Sequence, residues 1–289
     1  MEGMLDTALA ACGIKSRNSD HLTMGYARLS AGRTRVIIDA GPPATGNASY
    51  NAHASTLAFE LTSGRRPLIV SCGSGAHLGP DWHRAGRATP SHSTLCLGGY
   101  SSARLGKPVK TSGVFREFLV EAPKIVPVEM SQTAEGVKFE GAHSGYVPPF
   151  GLTHARKLSL SLDGRSLAGE DLLIALDDTA GNAGETVLSD DINPNVDFQI
   201  RFHLHPEVDA ALDLGGTTVA IAAKSGEIWI FRHESKLSLT IEPGVYLEKN
   251  QPIPRSSRQI VLSGMVNDAL TRAQWSLSKT QDTAMAIRD

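Results

Sequence analysis

A surplus of either charge is missing from this chain: 28 Lys and Arg stand against 30 Asp and Glu, the formal net charge is −2, and the basic residues are scattered. Nucleic acid and anionic membrane surfaces are bound through concentrated positive charge, so neither is a predicted partner. Long apolar runs are missing too, and none approaches the roughly 20 residues that a membrane-spanning helix needs. The first twenty residues start acidic and lack a long apolar core, so no signal peptide is read there. Cysteine is scarce: Cys12, Cys72 and Cys96 are odd in number and unrelated in spacing, which excludes a disulfide framework and a Cys-x-x-Cys metal site and leaves buried free thiols. Also absent are a Gly-x-Ser-x-Gly elbow, a phosphate-cradling Gly-x-x-x-x-Gly-Lys loop and a His-Glu-x-x-His helix. Their absence removes the commonest hydrolase, nucleotide-binding and zinc-protease readings. There is no internal repeat and no low-complexity tract.

What is present is a period of two. At 289 residues and 41% hydrophobic content the chain can bury a real core. Apolar and polar residues alternate in Leu22 to Ser30 and Thr34 to Asp39 around Ala31-Gly32-Arg33, and the strand-like runs Ser55 to Leu61 and Pro67 to Ser71 flank the turn Thr62 to Arg66, predicting two hairpins. Strands are predicted at His92 to Leu97, Gly113 to Glu121, Lys124 to Gln132, Gly136 to Gly141 and His154 to Leu162, where Arg156 falls in register with Leu158, Leu160 and Leu162. Asp163-Gly164 turns the chain into Ser166 to Ile174. Further strands are predicted at Phe198 to His205, Val208 to Leu214, Thr217 to Ala223, Glu227 to His233, Ser238 to Glu242 and Gln259 to Gly264. Short strands with frequent turns predict an all-β, antiparallel sandwich of two or more layers. Helix is expected only at Met4 to Cys12 and in the tail, and Asp177 to Val196 reads as an exposed insertion. The division is 1–20 as a short leading segment, 21–265 as the sandwich and 266–289 as a polar tail.

The chemistry-bearing residues sit on loops. Asn51 and His53 lie on the polar loop entering a predicted strand, and His92 stands at the mouth of another. Loops held by a rigid sheet are where reactive groups stay both reachable and fixed. The connection Ser74 to Pro90 holds His77, Trp82, His83, Arg84 and Arg87, and the two arginines are either surface charge or partners for a carboxylate. His143-Ser144-Gly145-Tyr146 forms a second loop. His203 and His205 are two apart on one strand and share a face, which suits either a metal ion or two plain surface histidines.

Taken in order, Asn51-Ala52-His53-Ala54, Phe59-Glu60-Leu61, Arg65 to Val70, His92-Ser93-Thr94-Leu95, His143 to Tyr146, Gly151-Leu152-Thr153-His154 and Gly169-Glu170-Asp171 resemble the C-terminal β-sandwich domain of heparinase II/III-like polysaccharide lyases. The resemblance covers roughly Gly25 to Gly264. It implies a helical toroid that precedes the sandwich and is missing here, an acidic polysaccharide bound between the two, and a setting in the cell envelope or periplasm. It implies β-elimination on a uronate: the carboxylate is neutralised, a base removes the proton beside it, and an acid, often tyrosine, assists the leaving oxygen. His53, His143 and Tyr146 become the catalytic candidates, and Asn51, Arg84 and Arg87 the substrate-binding ones. His53 and His92 match two histidines of a structural zinc site, whereas Ser71 stands where its aspartate is expected and Asn51 where the family places a catalytic histidine. The resemblance further predicts that His53, His92, His143 and Tyr146 line one face turned toward the missing toroid. A noncatalytic carbohydrate-binding or structural sandwich is the alternative that these two departures support.

Overall fold

A computed structural model describes residues 22–111, 113–175, 196–213, 215–233 and 237–281. The strands run in chain order as β1 (Tyr26–Ala31), β2 (Thr34–Asp39), β3 (Phe59–Ser63), β4 (Arg66–Val70), β5 (Leu95–Leu97), β6 (Arg104–Leu105), β7 (Val109–Thr111), β8 (Val114–Arg116), β9 (Leu119–Glu121) and β10 (Val128–Gln132). They continue as β11 (Gly136–Tyr146), β12 (Leu152–Ser161), β13 (Ser166–Ala175), β14 (Val196–Leu204), β15 (Val208–Leu212), β16 (Thr218–Ala223), β17 (Ile228–His233), β18 (Ser238–Tyr246), β19 (Arg255–Val266) and β20 (Leu270–Gln281). Among the described residues two eight-stranded antiparallel sheets form the sandwich. The first has the order β1-β2-β3-β4-β14-β19-β18 with β5 added to β14, and the second β10-β11-β12-β13-β20-β17-β16-β15. The ribbons β6-β9 and β7-β8 stand outside them.

Alternation decides which side chains meet between the sheets. Ala27 and Leu29 of β1, Val36 and Ile38 of β2, Val219 and Ile221 of β16, and Trp229 and Phe231 of β17 are all buried. An aromatic seam crosses the core: Phe59 of β3 stacks on Trp275 of β20 with centroids 5.5 Å apart, and Phe202 of β14 meets Phe231 and Trp275 at 4.8 Å each. Such contacts add to the area they bury. Gly169 pairs with Trp275 across β13 and β20, and a Cβ there would come within 2.1 Å of the indole, so this strand position has room for glycine alone.

Charge also enters the core. Arg156 and Asp171, on neighbouring β12 and β13, are fully buried; Arg156 Nε donates to Asp171 Oδ1 at 2.8 Å and Nη2 donates to Oδ2 at 3.1 Å. Trp275 Nε1 donates to Oδ2 at 3.0 Å and His154 Nε2 to Oδ1 at 2.8 Å. Arg156 Nη1 then crosses to the other sheet, donating to the carbonyls of Leu57 at 2.8 Å and Ser93 at 2.9 Å. Leu57 is held at a left-handed φ of 64°, a conformation that costs a branched side chain on the order of 1 kcal/mol or more. Its N–H to Asp39 O and its carbonyl to Arg156 keep it there.

Three features differ from the sequence expectations. Ser74 to Pro90 contains a helix, α1 (Pro80–Arg87), started by a proline at its first position, where no N–H is needed. The stretch His143 to Tyr146 is the end of strand β11, with an irregularity in its pairing to β12, and is followed by the one-turn helix α2 (Val147–Phe150). Half of the expected tail is β20, a central strand between β13 and β17, without which the second sheet would split. Its outward Arg272, Gln274 and Ser276 and the buried Ala273 hide the alternation that Trp275 and Leu277 carry. The expected helix at Met4 to Cys12 and the insertion at Asp177 to Val196, up to residue 195, lie outside the described residues.

Removing one member of a buried ion pair strands the other, at a cost of about 3 to 5 kcal/mol. Asp171→Ala is therefore expected to destabilise the chain by that order, read as a lowered midpoint of urea unfolding at unchanged slope.

Candidate functional site

β14 gives the candidate site its place. Its edge pairs first with β5, through Phe198, Gln199 and Ile200, and then with β4, through His203 and Leu204. Neither strand covers the interval between, so the chain leaving β4 and the chain entering β5 converge there. Ser93 closes the gap, its hydroxyl donating to Val70 O at 2.8 Å and accepting from His203 N at 3.0 Å. Ser71, Cys72 and His92 are carried to the same spot.

His53 and His92 meet there, as the paired loops predict: His53 Nδ1 lies 3.2 Å from His92 Nε2, and the rings stand edge to face. His92 Nδ1 lies 3.1 Å from Ser71 Oγ. The ends of this row, His53 and Ser71, are half-buried, and His92 between them is buried. Beside it, Cys72 Sγ lies 3.4 Å from His203 Nδ1, and His203 Nε2 donates to Pro90 O at 2.8 Å. His203 is thus a buried histidine, while His205, just past the strand, is half-buried against the Tyr246 ring. The two sequence alternatives for this pair, shared metal ligands or surface residues, both give way to separate roles.

Burial dominates the titration of the cluster. It holds His53 down to about 4, helped by the charges of Arg87 and His83, and holds His92 well below the usual histidine range, helped by His53 and His203. The carbonyl of Gly86 opposes it at both rings. His203 is likewise held to about 4, chiefly by burial, and burial pushes the Cys72 thiol up to about 11, so this thiol is not a ready nucleophile.

The loop that presents His53 is clamped from beneath. Arg87, at the end of α1 and 1% exposed, donates to three carbonyls: Ala52 O at 2.8 Å, Glu117 O at 2.9 Å and Ser49 O at 2.6 Å. The expectation that Arg87 binds substrate is corrected, because its guanidinium is sealed and committed to backbone. Arg84, one turn earlier and half-exposed, pairs with Glu117 at 2.6 Å. Asn51 is exposed, and His83 packs its ring against Tyr50 at 5.1 Å.

His143 and Tyr146 are 0% exposed, so the expectation that they line an open face with His53 is corrected too. Tyr146 Oη donates to Leu95 O at 2.8 Å. Gly145 N–H donates to His143 Nδ1 at 3.0 Å, which makes Nε2 the protonated nitrogen of a neutral ring; it donates to His154 Nδ1 at 3.2 Å, and His154 Nε2 donates to Asp171. This row has one direction throughout. Although its burial raises it, Asp171 is held well below the usual carboxylate range by Arg156 and His154. His154, Arg156 and Asp171 were not among the sequence candidates, yet Arg156 stands in register with Leu158 and Leu160, which marks an inward charge.

The residues implied for zinc do not fit one. Ser71 and His53 approach opposite nitrogens of His92, so the three donors do not converge on a point, and a serine hydroxyl brings no negative charge. Among the described residues no group of three or more His, Cys, Asp or Glu side chains is placed to hold a metal ion. A shallow groove of about 400 Å³ lies on the second sheet, where Lys138, Glu140, Lys157 and Glu170 alternate, and contains none of the candidate residues.

Two predictions follow from this geometry. Charged hydrogen bonds are worth about 1.5 to 3 kcal/mol each, whereas exposed ion pairs contribute under about 1 kcal/mol. Arg87→Ala is expected to lower stability by about 3 kcal/mol and to broaden the His53 ring signals in NMR, and Arg84→Ala to do neither. For pH, the folded histidines His53, His92, His143, His154 and His203 all titrate lower than an unfolded histidine near 6.5. Between about 6.5 and about 4 the unfolded chain binds more protons, so stability is present above that window and lost as pH falls through it. Melting temperature should fall steadily with a slope of more than one proton; a flat profile would contradict the buried neutral cluster.

Comparison with known proteins supplies the family. The model described as heparinase II/III-like, C-terminal, matches residues 15–278. FtsZ-localized protein C of Caulobacter vibrioides (strain NA1000 / CB15N) is 32% identical over 267 residues, which are 89% of this chain and 42% of that protein. Among solved structures, heparan sulfate lyase HepC from Pedobacter heparinus matches 98% of this chain and 40% of its own at 15% identity and a TM-score of 0.60. The heparinase III-BT4657 gene product matches 98% of this chain and 39% of its own at 14% identity and a TM-score of 0.65. The chain therefore spans about two fifths of the length of these relatives. With the family matched across both sheets and the sandwich shared with lyases of known structure, this chain belongs to the heparinase II/III-like family as a C-terminal β-sandwich domain.

Proposed function

We propose that the chain is the β-sandwich part of a polysaccharide lyase that breaks a uronate-containing acidic polysaccharide by β-elimination, with His53 as the base. One observation carries the reading: His53 is the half-exposed end of a buried polar row, kept neutral by burial, two residues from the exposed Asn51, while Arg84 pairs with Glu117, whose carbonyl shares Arg87 with the His53 loop. A neutral imidazole can take a proton at physiological pH, and the row behind it fixes the ring. The incoming carboxylate is met by Arg84, which exchanges Glu117 for it. The acid that assists the leaving oxygen is not Tyr146, which is sealed, so it is supplied by the helical part of the full-length protein.

A second reading, a noncatalytic carbohydrate-binding sandwich, has its own support. Arg87, His143 and Tyr146 are sealed, Asn51 and Ser71 replace a histidine and a carboxylate of the family pattern, and the relative from Caulobacter is named for its place with FtsZ rather than for a lyase reaction. Uronate oligosaccharides incubated with the full-length protein separate the two. Elimination is expected to generate unsaturated uronate ends, visible by ultraviolet absorbance, and His53→Ala to slow it by about 10²-fold or more. The isolated sandwich is expected to bind weakly and show no turnover, because a reacting ring held from one side is misplaced by more than the ~1 Å that already costs about 10²-fold. Binding by the full-length protein without unsaturated ends would establish the second reading.

A further inference from the structure

The polar row through His143 has a fixed direction because it starts at a backbone N–H and ends at a carboxylate, one able only to donate and the other only to accept. The row through His92 ends instead at a hydroxyl, which can do either. Its two arrangements are both complete and both neutral. In one, His53 Nδ1–H donates to His92 Nε2 and His92 Nδ1–H donates to Ser71 Oγ, leaving His53 Nε2 bare. In the other, Ser71 O–H donates to His92 Nδ1 and His92 Nε2–H donates to His53 Nδ1, so that His53 carries its proton on Nε2.

We propose that Ser71, His92 and His53 form a two-state proton chain in which the Ser71 hydroxyl decides, through His92, which nitrogen of His53 is protonated. The chain moves one proton without charging a ring. A proton taken up at His53 Nε2 releases the Nδ1 proton to His92 Nε2; His92 passes its Nδ1 proton to Ser71 Oγ; and the original Ser71 hydroxyl proton leaves to water. One proton enters and one departs. Both ends are half-buried and reach solvent, and the middle is buried, as a relay requires. The surroundings favour transfer over storage: burial opposes a positive charge at both rings, helped by Arg87 and His83 at His53 and by His53 and His203 at His92, with the Gly86 carbonyl on the other side at both. Ser71 is held in place by its N–H to Glu60 Oε1 at 3.1 Å. In chemical use the inference rests on the lyase reading, for which a relay lets His53 discharge the abstracted proton; Ser71 and His92 are positioning residues.

The test is nitrogen NMR of the full chain with labelled histidine near neutral pH. In the unmodified chain both nitrogens of His53 and of His92 are expected at shifts between the protonated and bare positions, averaged over the two states. Ser71→Asp, which cannot donate, is expected to move Nε2 of both rings to the bare position; Ser71→Thr, which keeps the hydroxyl, is expected to leave the averaged shifts. Should the aspartate variant fail to fold, Ser71→Ala must still move the His53 shifts, although residue 71 bonds to His92 and not to His53. A single fixed tautomer in the unmodified chain, or His53 shifts that ignore residue 71, overturns the proposal. Failure of the lyase reading appears separately, as absent unsaturated ends with the NMR response intact.

Discussion

A carboxylate sealed between two sheets must have its oxygens satisfied, and Asp171 meets that demand with Arg156, His154 and Trp275. Much else depends on that arrangement. Trp275 is held flat against Phe59, so the aromatic seam inherits its orientation from a hydrogen bond. Arg156, anchored by two of its nitrogens, has the third left for Leu57 and Ser93, which belong to the loops of the opposite sheet. A buried ion pair is weak evidence for net stability, because desolvation offsets much of its attraction. Its effect here is positional: it fixes the segment carrying His92 and Ser93 relative to the second sheet.

That fixation explains why the interval between β4 and β5 holds a defined cluster rather than a loose loop crossing. Ser93 is engaged on both sides, by its carbonyl to Arg156 and by its hydroxyl to the backbone of β4 and β14. His92, one residue earlier, therefore cannot swing, and Arg87 holds the His53 loop against it from the other side. The two histidine rows then differ in kind. One is a closed structural network with a single direction; the other begins and ends at groups within reach of solvent. Rigidity around a row that can reverse is what a proton-handling site needs, since the heavy atoms stay put while the protons move.

The sheet architecture was legible because period two is a local signal: the hairpins at Gly32-Arg33 and Gly64 and the turn at Asp163-Gly164 are where the alternation places them. The strand β20 was hidden by the small or polar residues flanking Trp275, and α1 by its short length and its polar composition. The meeting of His53 with His92 was legible from loop entries that the family pattern pairs. The sealing of Arg87, His143 and Tyr146 was not, because burial of a polar side chain depends on partners far off in sequence: Arg87 reaches Ser49, and Tyr146 reaches Leu95. A loop-like composition around Gly145 concealed that the strand runs on through it. The inward parity of Arg156 was a readable clue that a charge lies in the core, and it pointed to the network rather than to the site.

The two arginines of α1 show how the same side chain is excluded from chemistry or left available for it. To reach a carboxylate ligand, Arg87 would have to abandon three carbonyls beneath the His53 loop, of which Ser49 O would keep the Ala52 N–H while Ala52 O and Glu117 O would lose their donor. Several kilocalories per mole would be lost before any were gained, since each stranded acceptor costs about 1 to 3 kcal/mol. Arg84 gives up a half-exposed pair with Glu117, worth under about 1 kcal/mol in water. An anionic sugar approaching this edge would therefore be met by Arg84, while Arg87 keeps the loop in place. Under the lyase reading, acidic-glycan recognition at this wall rests on a single exchangeable ion pair, which is weak and salt-sensitive by itself. Under the lyase reading, the affinity and the leaving-group acid must come from the part of the protein that faces this wall.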